Sequence, residues 1–300
     1  MEENKKYDVI IIGGSYAGLA AAMSLGRAIR NVLIIDSGKP CNRQTPHSHN
    51  FLTQDGSTPA AISDLGKQQV LAYPTIEWMN GLVTAVSGTD HNFVVSTHSG
   101  AKIKASKLLF TTGIKDLMPD IKGFSQCWGI SVIHCPYCHG YEYKDQQTGI
   151  LINGDMAFEY GRLIHHWTPH LTIFTNGNST ISEAHKELLS ALDIPIVESP
   201  VKEIVHVNGY LSKLVVHTGE DYFLHALYAR LPFEQHSELP KELGCTYTEE
   251  GYIDVDEFQK TAVAGIYAAG DNTKIMRALL SAVASGSRAG AFINHELIRE

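Results

Sequence analysis

The sequence predicts an α/β protein with two Rossmann-like units, because one strand–turn–helix–strand pattern occurs twice along the chain. The first copy covers residues 7–36 and the second covers residues 149–174. In each copy an apolar run enters a glycine-containing turn and a helical stretch, and a second apolar run follows. This order is typical of parallel strands joined by a crossover helix. A chain of 300 residues is long enough for two such domains.

Composition and charge exclude several classes of partner. The chain carries 24 Lys and Arg against 32 Asp and Glu, a net charge of −8, and we find no basic patch for a nucleic acid. Residues 1–6 lead directly into a strand without the apolar core of a signal peptide, and no apolar run is long enough to span a bilayer. We therefore expect a cytoplasmic protein that binds neither nucleic acid nor membrane.

The first glycine turn has the form of a dinucleotide fingerprint. The sequence from Gly13 to Gly18 (GGSYAG) follows a predicted strand over 7–12 and opens a predicted helix over 19–30. Ser15 replaces the middle glycine of this pattern. The next strand, 32–35, ends at Asp36, whose carboxylate can accept hydrogen bonds from ribose hydroxyls.

The other predicted elements follow from apolar runs and turn residues. They are a helix over 60–72, strands over 75–86, 93–98, 107–110 and 130–133, a helix that follows the turn at 153–157 and ends near residue 166, a hairpin of 201–207 with 211–217, a strand over 223–230, and a helix over 275–298. The small residues of the last helix allow close approach either to a flat ring or to another helix.

Cys135 and Cys138 form a C-x-x-C pair at the start of a predicted helix, where a helix N-terminus lowers the pKa of a thiol. The same pattern is half of a zinc site, and with His139 it has the form of a haem attachment sequence. Of the five cysteines only these two are close in sequence, which favours a working dithiol over a structural framework. A non-enzymatic redox or metal sensor remains an alternative, although no second C-x-x-C supplies zinc ligands.

The second Rossmann-like unit has lost the features that bind NADPH. Ile152 stands where the fingerprint has its first glycine, and only Gly154 and Ala157 remain of the pattern. A 2′-phosphate requires Arg or Lys after the second strand, yet residues 175–178 are TNGN and no Arg occurs from 163 to 229. The sequence therefore predicts a nucleotide-binding shape without a clamp for NADPH.

The segment 41–56 is too long for a simple connector, and long loops after a nucleotide-binding strand are often functional. It contains His47 and His49. Two histidines in such a loop are more often solvated than catalytic, so we assign no role to them at this point.

Five motifs occur in the order and spacing of the low-molecular-weight thioredoxin reductases, which the chain resembles over nearly its whole length. They are GGSYAG at 13–18, Asp36, TTG at 111–113, CPYC at 135–138 and GIYAAGD at 265–271. The longer sequence CPYCHGY is similar to that of the thioredoxin-reductase-like FAD dithiol oxidases, which make disulfides in small molecules such as gliotoxin and holomycin.

The resemblance implies an FAD-binding domain split between residues 1–115 and 233–300, with an inserted NAD(P)-binding-like domain over 116–232 that carries the Cys pair. Cys138 would face the flavin and Cys135 would exchange with substrate; no metal site is implied. The implied cofactor-binding residues are Gly13, Ser15, Tyr16, Ala17, Gly18, Asp36, Arg43, Asn50, Val83, Thr112, Gly113, Gly270, Asp271, Ala278 and Leu279.

The function implied is an FAD-dependent disulfide oxidoreductase, a homodimer by resemblance. Its partner would be a thioredoxin-like protein or a small-molecule disulfide or dithiol. The resemblance leaves NADPH or NADH open as electron donor, and the missing clamp favours the alternative of an oxygen-dependent dithiol oxidase that does not use NADPH. Family reductases carry Asp where this chain has His139, and we expect its imidazole to shuttle a proton and, as a cation, to stabilise a thiolate.

Overall fold

The computed structural model describes residues 5–300, which form two compact units. Residues 1–4, part of the N-terminal stretch used to argue against a signal peptide, lie outside the described residues. Unit 1 contains the chain up to residue 43 together with 60–115 and 233–300, and unit 2 contains 44–59 and 116–232. The segment 44–59 thus belongs to unit 2, whereas the sequence analysis places it in the first part of the FAD-binding domain.

The helices and strands follow one another as a mixed α/β chain. In order they are β1 (Lys6–Ile12), α1 (Tyr16–Arg27), β2 (Val32–Asp36), α2 (Pro59–Leu71), β3 (Ile76–Asn80), β4 (Val83–Ser87), β5 (Phe93–Thr97), β6 (Lys102–Phe110), β7 (Ile114–Asp116), α3 (Phe124–Cys127), β8 (Val132–Ile133), α4 (Pro136–His139), β9 (Thr148–Leu151), α5 (Met156–Ile164), β10 (Leu171–Phe174), α6 (Glu183–Ala191), β11 (Ile196–Val197), β12 (Val201–Val207), β13 (Tyr210–Val216), β14 (Asp221–Phe223), β15 (Ala226–Ala229), β16 (Phe233–Gln235), α7 (Leu239–Glu242), β17 (Ile266–Ala268) and α8 (Leu279–Arg299).

Unit 1 is built on a seven-stranded sheet in the order β3-β2-β1-β6-β5-β4, with β17 also paired to β6. Strands β3, β2, β1, β6 and β17 are mutually parallel, and β4 and β5 are antiparallel to their neighbours. The apolar run of β1 is buried from its fourth residue onward because the sheet is covered on both faces. The parallel strands β1, β6 and β17 therefore end at one edge of the sheet.

Three sequence-based boundaries in unit 1 are wrong. The strand expected over 75–86 is two strands: β3 pairs with β2, whereas β4 pairs with β5, and the chain turns at Gly81 between them. The helix expected to reach residue 30 ends at Arg27, because the chain leaves the helix at Ala28 and Ile29 adopts a left-handed φ of 61°. The C-terminal helix likewise begins at Leu279 rather than at residue 275.

The small residues of α8 serve helix packing. A Cβ on Gly286 would lie 2.0 Å from the carbonyl oxygen of Ala17 in α1, and a Cβ on Gly290 would lie 2.6 Å from that of Ala21. The two helix backbones are therefore in direct contact, which only glycine allows. Of the two interpretations of this helix, the structure of unit 1 supports close approach to another helix.

Unit 2 has a five-stranded parallel sheet, β11-β10-β9-β15-β8, and a three-stranded antiparallel sheet, β12-β13-β14. The predicted hairpin is confirmed, with Asn208 and Gly209 at its turn. The single strand expected over 223–230 is wrong. Phe223 ends β14 in one sheet and Ala226 begins β15 in the other, so the chain changes sheets at the buried Leu224.

The fully buried Lys107 of β6 is neutralised by three carboxylates within unit 1. Its Nζ lies 2.9 Å from Asp90, 2.9 Å from Glu296 and 2.7 Å from Glu300. Asp90 and Glu300 also form a group with His91 whose geometry would suit a metal ion. Both carboxylates, however, already form ion pairs with the ammonium of Lys107. Among the described residues no helix has both the length and the apolar character needed to cross a membrane.

Candidate active site

The glycine turn of unit 1 is closed so tightly that side chains are excluded from it. Gly13 has a φ of 109°, and a Cβ there would lie 2.4 Å from the carbonyl oxygen of Thr111. A Cβ on Gly18 would lie 2.0 Å from the carbonyl oxygen of Gly13. The end of β1, the end of β6 and the start of α1 therefore meet backbone to backbone, as a dinucleotide-binding turn requires.

The N-terminus of α1 suits an anion. The helix has twelve residues, carries no acidic side chain in its first turn, and its N-cap Ser15 makes no side-chain capping bond within the described chain. Asp36 lies beside the turn, where its Oδ1 accepts a hydrogen bond from the Gly14 N–H (2.8 Å) and its Oδ2 accepts one from Gly38 (2.8 Å). Each carboxylate oxygen keeps a lone pair for a ribose hydroxyl.

Three of the predicted cofactor-binding segments meet at this sheet edge. Thr112 and Gly113 follow β6, and Gly270 and Asp271 follow β17, which pairs with β6 up to Ala268. Gly270 lies against α1, since a Cβ on it would be 3.1 Å from the Cβ of Ala17. Carboxyl ends of adjacent parallel strands are where α/β sheets bind nucleotides.

Buried polar atoms at this edge fit a polar ligand. Thr112 Oγ1 and Asn272 Oδ1 are both buried and have no hydrogen-bond partner among residues 5–300. The Asn272 side chain is fixed, because its Nδ2 donates to the carbonyl oxygen of Phe110 (3.0 Å). Such atoms are rare in folded proteins unless a ligand or water completes them. The glycine turn, Asp36 and these atoms together fit a bound dinucleotide, and the sequence analysis missed Asn272.

The other predicted cofactor-binding residues of unit 1 differ in what they can offer. Tyr16 accepts a weak hydrogen bond from Asn42 (3.4 Å), and burial raises the pKa of its hydroxyl. The exposed Arg43 donates to the Pro40 carbonyl oxygen (3.1 Å), and Val83 is buried in the core, so it offers a ligand only its backbone. Ala278 is the N-cap of α8, and Leu279 is its first residue.

Asn50 is the one predicted cofactor-binding residue in unit 2. It adopts a left-handed φ of 58°, and its N–H donates to Asp55 Oδ1 at 2.7 Å. It lies on the segment 44–59, which also carries His47 and His49.

Cys135 and Cys138 form a disulfide in unit 2, with their Cα atoms 5.3 Å apart. The pair occupies a single helical turn: Cys135 is the N-cap of α4, and Pro136 takes the first helical position, where its missing N–H costs nothing. The expected helix is thus only four residues long, so a helix dipole contributes little to these thiols. The exposed ring of Tyr137 meets the ring of Trp167 edge-on, with centroids 5.5 Å apart.

His139 is neutral at physiological pH in this disulfide form. Burial, followed by the charge of His49, lowers the pKa of His139 to about 4. The expectation that a cationic His139 stabilises a thiolate stays a prediction, because it concerns the reduced Cys pair, whereas burial disfavours the cation in the disulfide form. A neutral imidazole can accept a proton from a thiol.

The second Rossmann-like turn is filled by the side chains of unit 2 itself. Asp155, the N-cap of α5, accepts a hydrogen bond from the Ser182 N–H (2.8 Å) and lies 2.9 Å from His185 Nδ1. These two contacts lower the pKa of Asp155 to about 2, so an ionised carboxylate belongs to the N-cap residue of α5. Asn153 Oδ1 accepts hydrogen bonds from the N–H groups of Gly154 and Thr180 (both 2.8 Å). This turn does not fit NADPH.

The region after β10, where a 2′-phosphate would lie, is also negative. The Gly177 N–H donates to the Glu198 carbonyl oxygen (2.8 Å), and the Ser179 N–H faces the carboxylate of Glu198 (3.2 Å). The missing arginines are visible in the sequence, whereas nothing in the linear pattern places the Glu198 carboxylate beside residues 175–179.

Comparisons with known proteins agree on one kind of enzyme. A family model described as pyridine nucleotide-disulphide oxidoreductase matches residues 7–286. The chain is 30% identical over 315 residues to thioredoxin reductase tcpT of Claviceps purpurea (strain 20.1), covering 100% of this chain and 97% of that protein. It is 28% identical over 313 residues to thioredoxin reductase sirT of Leptosphaeria maculans, covering 97% and 94%. The solved structure of an oxidoreductase from Agrobacterium tumefaciens is 34% identical, with a TM-score of 0.93 over 98% of this chain and 99% of that one.

Proposed function

Because the chain belongs to the pyridine nucleotide-disulphide oxidoreductase family and is an oxidoreductase of thioredoxin-reductase type, we propose that it is an FAD enzyme working through its Cys135–Cys138 disulfide. It passes two electrons between the flavin, this pair and a disulfide or dithiol substrate. The observation that carries the proposal is the disulfide at the start of α4, in a chain whose other unit contains a tight glycine turn of dinucleotide-binding type.

Each part of the protein has a defined task in this proposal. The α1 N-terminus holds the pyrophosphate of FAD, Asp36 binds its ribose, and Asp271 binds the ribityl chain. When bound, the isoalloxazine ring supplies the two-electron chemistry. Arg277 Nε lies 3.9 Å from Asp271 Oδ2 and orients that carboxylate.

The chemistry of the Cys pair is thiol–disulfide exchange. A substrate thiolate attacks Cys135 Sγ, which forms a mixed disulfide and breaks the Cys135–Cys138 bond. The second substrate thiolate attacks its own disulfide-bound sulfur, which releases Cys135 as a thiolate. The substrate loses two electrons and two thiol protons, the Cys pair gains the two electrons, and a neutral His139 can accept each proton as it leaves.

A second candidate is an oxygen-dependent dithiol oxidase that does not use NADPH, and one observation favours it. The second Rossmann-like turn has ionised Asp155 as the N-cap of α5, and the carboxylate of Glu198 contacts the segment that follows β10. Like charges at these positions oppose NADPH. Electrons would then enter from a dithiol and leave to O2 as peroxide.

The natural partner in either direction is a thiol or disulfide, in a thioredoxin-like protein or in a small molecule. The ring of Tyr137, between the two cysteines, is exposed and is available for contact with such a partner. We propose that the enzyme acts as a homodimer in the cytoplasm, in keeping with the family resemblance.

Comparing electron donors decides between the two directions. The FAD-loaded protein is mixed anaerobically with NADPH, NADH or dithiothreitol, and the loss of visible flavin absorbance is followed by stopped flow. We expect dithiothreitol to bleach the flavin and NADPH at millimolar concentration to bleach it only slowly, because carboxylates fill the nucleotide turn. Readmitted air should restore the colour with release of peroxide.

Rapid bleaching by NADPH would overturn the oxidase reading and leave the reductase. A matched variant makes the test sharper. Asp155→Ala removes the carboxylate from the α5 N-terminus and should strengthen NADPH binding if that charge is what excludes it. The control Glu187→Ala removes an exposed carboxylate from the middle of α6, away from a helix N-terminus, and it should leave NADPH binding unchanged.

A further inference from the structure

The indole of Trp167 packs against the disulfide turn, the segment 135–140 of unit 2. A Cβ on Gly140 would lie 3.0 Å from both Cε2 and Nε1 of Trp167, so the indole rests directly on the backbone of that glycine. The ring of Tyr137 meets the same indole edge-on, with the two centroids 5.5 Å apart. Trp167 therefore contacts the disulfide turn between its two cysteines and again just beyond the second one.

Trp167 is itself fixed to the body of unit 2. Its N–H donates to the carbonyl oxygen of Ile164 (2.9 Å), the last residue of α5, and its carbonyl oxygen accepts a hydrogen bond from the Asp145 N–H (3.0 Å). The Ile164 side chain is fully buried in the core of unit 2. The indole is thus carried by an anchored piece of backbone and can act as a support for the disulfide turn.

The disulfide turn has little stability of its own. Its helix α4 has four residues, and a helix of this length is unstable in isolation because its few hydrogen bonds do not offset the ordering of its backbone. The Gly140 N–H closes the turn by donating to the Pro136 carbonyl oxygen (2.6 Å). Once the disulfide is reduced, contacts with the rest of unit 2 have to keep the two thiols near each other.

The stability of a disulfide depends on how well the reduced chain already holds its two thiols together. An ordered turn loses little conformational entropy when the bond forms, whereas a loose turn loses more. Packing that orders the turn therefore favours the disulfide. Because the packing and the bond stabilise the same arrangement, removing the packing makes the pair easier to reduce.

We propose that Trp167 is a positioning residue that sets the reduction potential of the Cys135–Cys138 pair. Its contacts with Tyr137 and Gly140 hold the disulfide turn in the arrangement in which the two sulfurs can bond. Trp167 itself exchanges neither electrons nor protons. This inference rests on the proposed function and assigns a role to a residue that lies outside the glycine turn and the Cys pair.

The test is an anaerobic equilibrium titration of the FAD-loaded protein, for wild type and for Trp167→Leu. Each protein is equilibrated with dithiothreitol and glutathione buffers of varying ratio of thiol to disulfide. Two reagent thiols become one disulfide, and the two electrons and two protons that they release convert the Cys135–Cys138 bond to two thiols. The thiols are trapped with acid, alkylated and counted by mass spectrometry, which depends neither on flavin absorbance nor on turnover.

Trp167→Leu is expected to shift the equilibrium about tenfold towards the dithiol, a size typical of coupling between groups in contact. This shift raises the reduction potential by about 30 mV. Trp167→Phe keeps an aromatic ring and should recover most of the wild-type value. A merely structural role of Trp167 would lower the free energy of unfolding without moving the potential, so urea unfolding is measured alongside.

Tyr141→Ala is the matched control for these substitutions. Tyr141 is an exposed tyrosine directly after the disulfide turn, and the Lys144 ammonium lies over its ring, 4.4 Å from the centroid. Its removal takes away as large a side chain at the same surface but leaves the packing of Trp167 on the turn in place. The reduction potential of this variant should equal that of the wild type.

A double-mutant cycle tests the contact between the two rings. Tyr137→Ala removes the ring that meets Trp167 and should raise the potential, whereas Tyr137→Phe keeps that ring and should leave the potential unchanged. If the two side chains act through their contact, the double variant shifts by less than the sum of the single shifts. Because Tyr137 is exposed, its two variants decide the matter if Trp167→Leu does not fold.

Equal potentials for wild type and Trp167→Leu would overturn the inference, as would an equal shift in Tyr141→Ala. Fully additive shifts would overturn it too, because Trp167 and Tyr137 would then act separately. These outcomes are separate from a failure of the proposed function. If none of the buffers reduces the wild-type Cys135–Cys138 pair, the proposed function fails; if the pair is reduced and the potentials agree, the positioning role alone fails.

Discussion

Replacing Cys138 with serine is expected to abolish turnover with any dithiol or disulfide, with a loss of at least ~10³-fold in kcat. The reason is that the two-electron couple consists of the Cys135–Cys138 bond, and a hydroxyl can neither form that bond nor accept electrons from it. The protein should still fold, because Cys138 is only half-buried in a one-turn helix, and should still bind FAD through unit 1. Steady-state peroxide release with dithiothreitol measures the effect.

Cys41→Ser serves as the control for this substitution. Cys41 is exposed and lies outside the disulfide, so this variant should turn over at the wild-type rate. Dithiol turnover that survives in Cys138→Ser would show that the substrate reaches the flavin without the Cys pair, and the proposed route would be wrong.

Gly286→Ala is expected to destabilise unit 1 and to remove FAD binding. The added Cβ would lie 2.0 Å from the Ala17 carbonyl oxygen, which is backbone and cannot turn aside, so α8 has to move away from α1. Overpacking of this kind costs about 3 kcal/mol in free energy of unfolding. Because Ala17 belongs to the first turn of α1, a shift there also moves the N–H groups that would hold the pyrophosphate.

Gly66→Ala is the matched control for the Gly286→Ala substitution. Gly66 lies inside α2, and a Cβ there would be 3.3 Å from Leu19 Cδ1, the end of a flexible side chain. Its stability should equal the wild type or exceed it by up to about 1 kcal/mol, the gain in helix propensity. Urea unfolding and the ratio of flavin to protein absorbance measure both variants. Unchanged stability and full flavin content in Gly286→Ala would contradict the packing of α1 on α8.

Much of the fold could be predicted from apolar runs, and the two strand errors have one physical cause. The strand β10 and the hairpin of β12 and β13 are found where the pattern predicts them. The length of a buried apolar run, or of an alternating run, gives the length of the strand directly. The sequence predicts one strand for each of the runs 75–86 and 223–230, yet in both the chain changes its pairing partner midway. Alternation along a chain carries no information about which neighbour a residue pairs with.

In the candidate site, too, some features can be predicted from the sequence and others depend on the fold. The glycine turn, Asp36 and the Cys pair were visible because their spacing alone indicates their chemistry. The neutral state of His139, the contact of Trp167 with Gly140, and the carboxylate of Asp155 in the second turn were not visible. Each of these depends on burial or on a contact between distant parts of the chain.

The central claim, that flavin and the sulfur pair exchange electrons in one protein, is tested most directly by an anaerobic reductive titration. FAD-loaded wild type and a variant with Cys135→Ser and Cys138→Ser are titrated with dithionite, and the reductant consumed per chain is counted. We expect the wild type to take up twice as many electrons as the variant, because flavin and disulfide each accept a pair. Equal uptake by the two proteins, or a colourless protein that does not bind added FAD, would contradict the account.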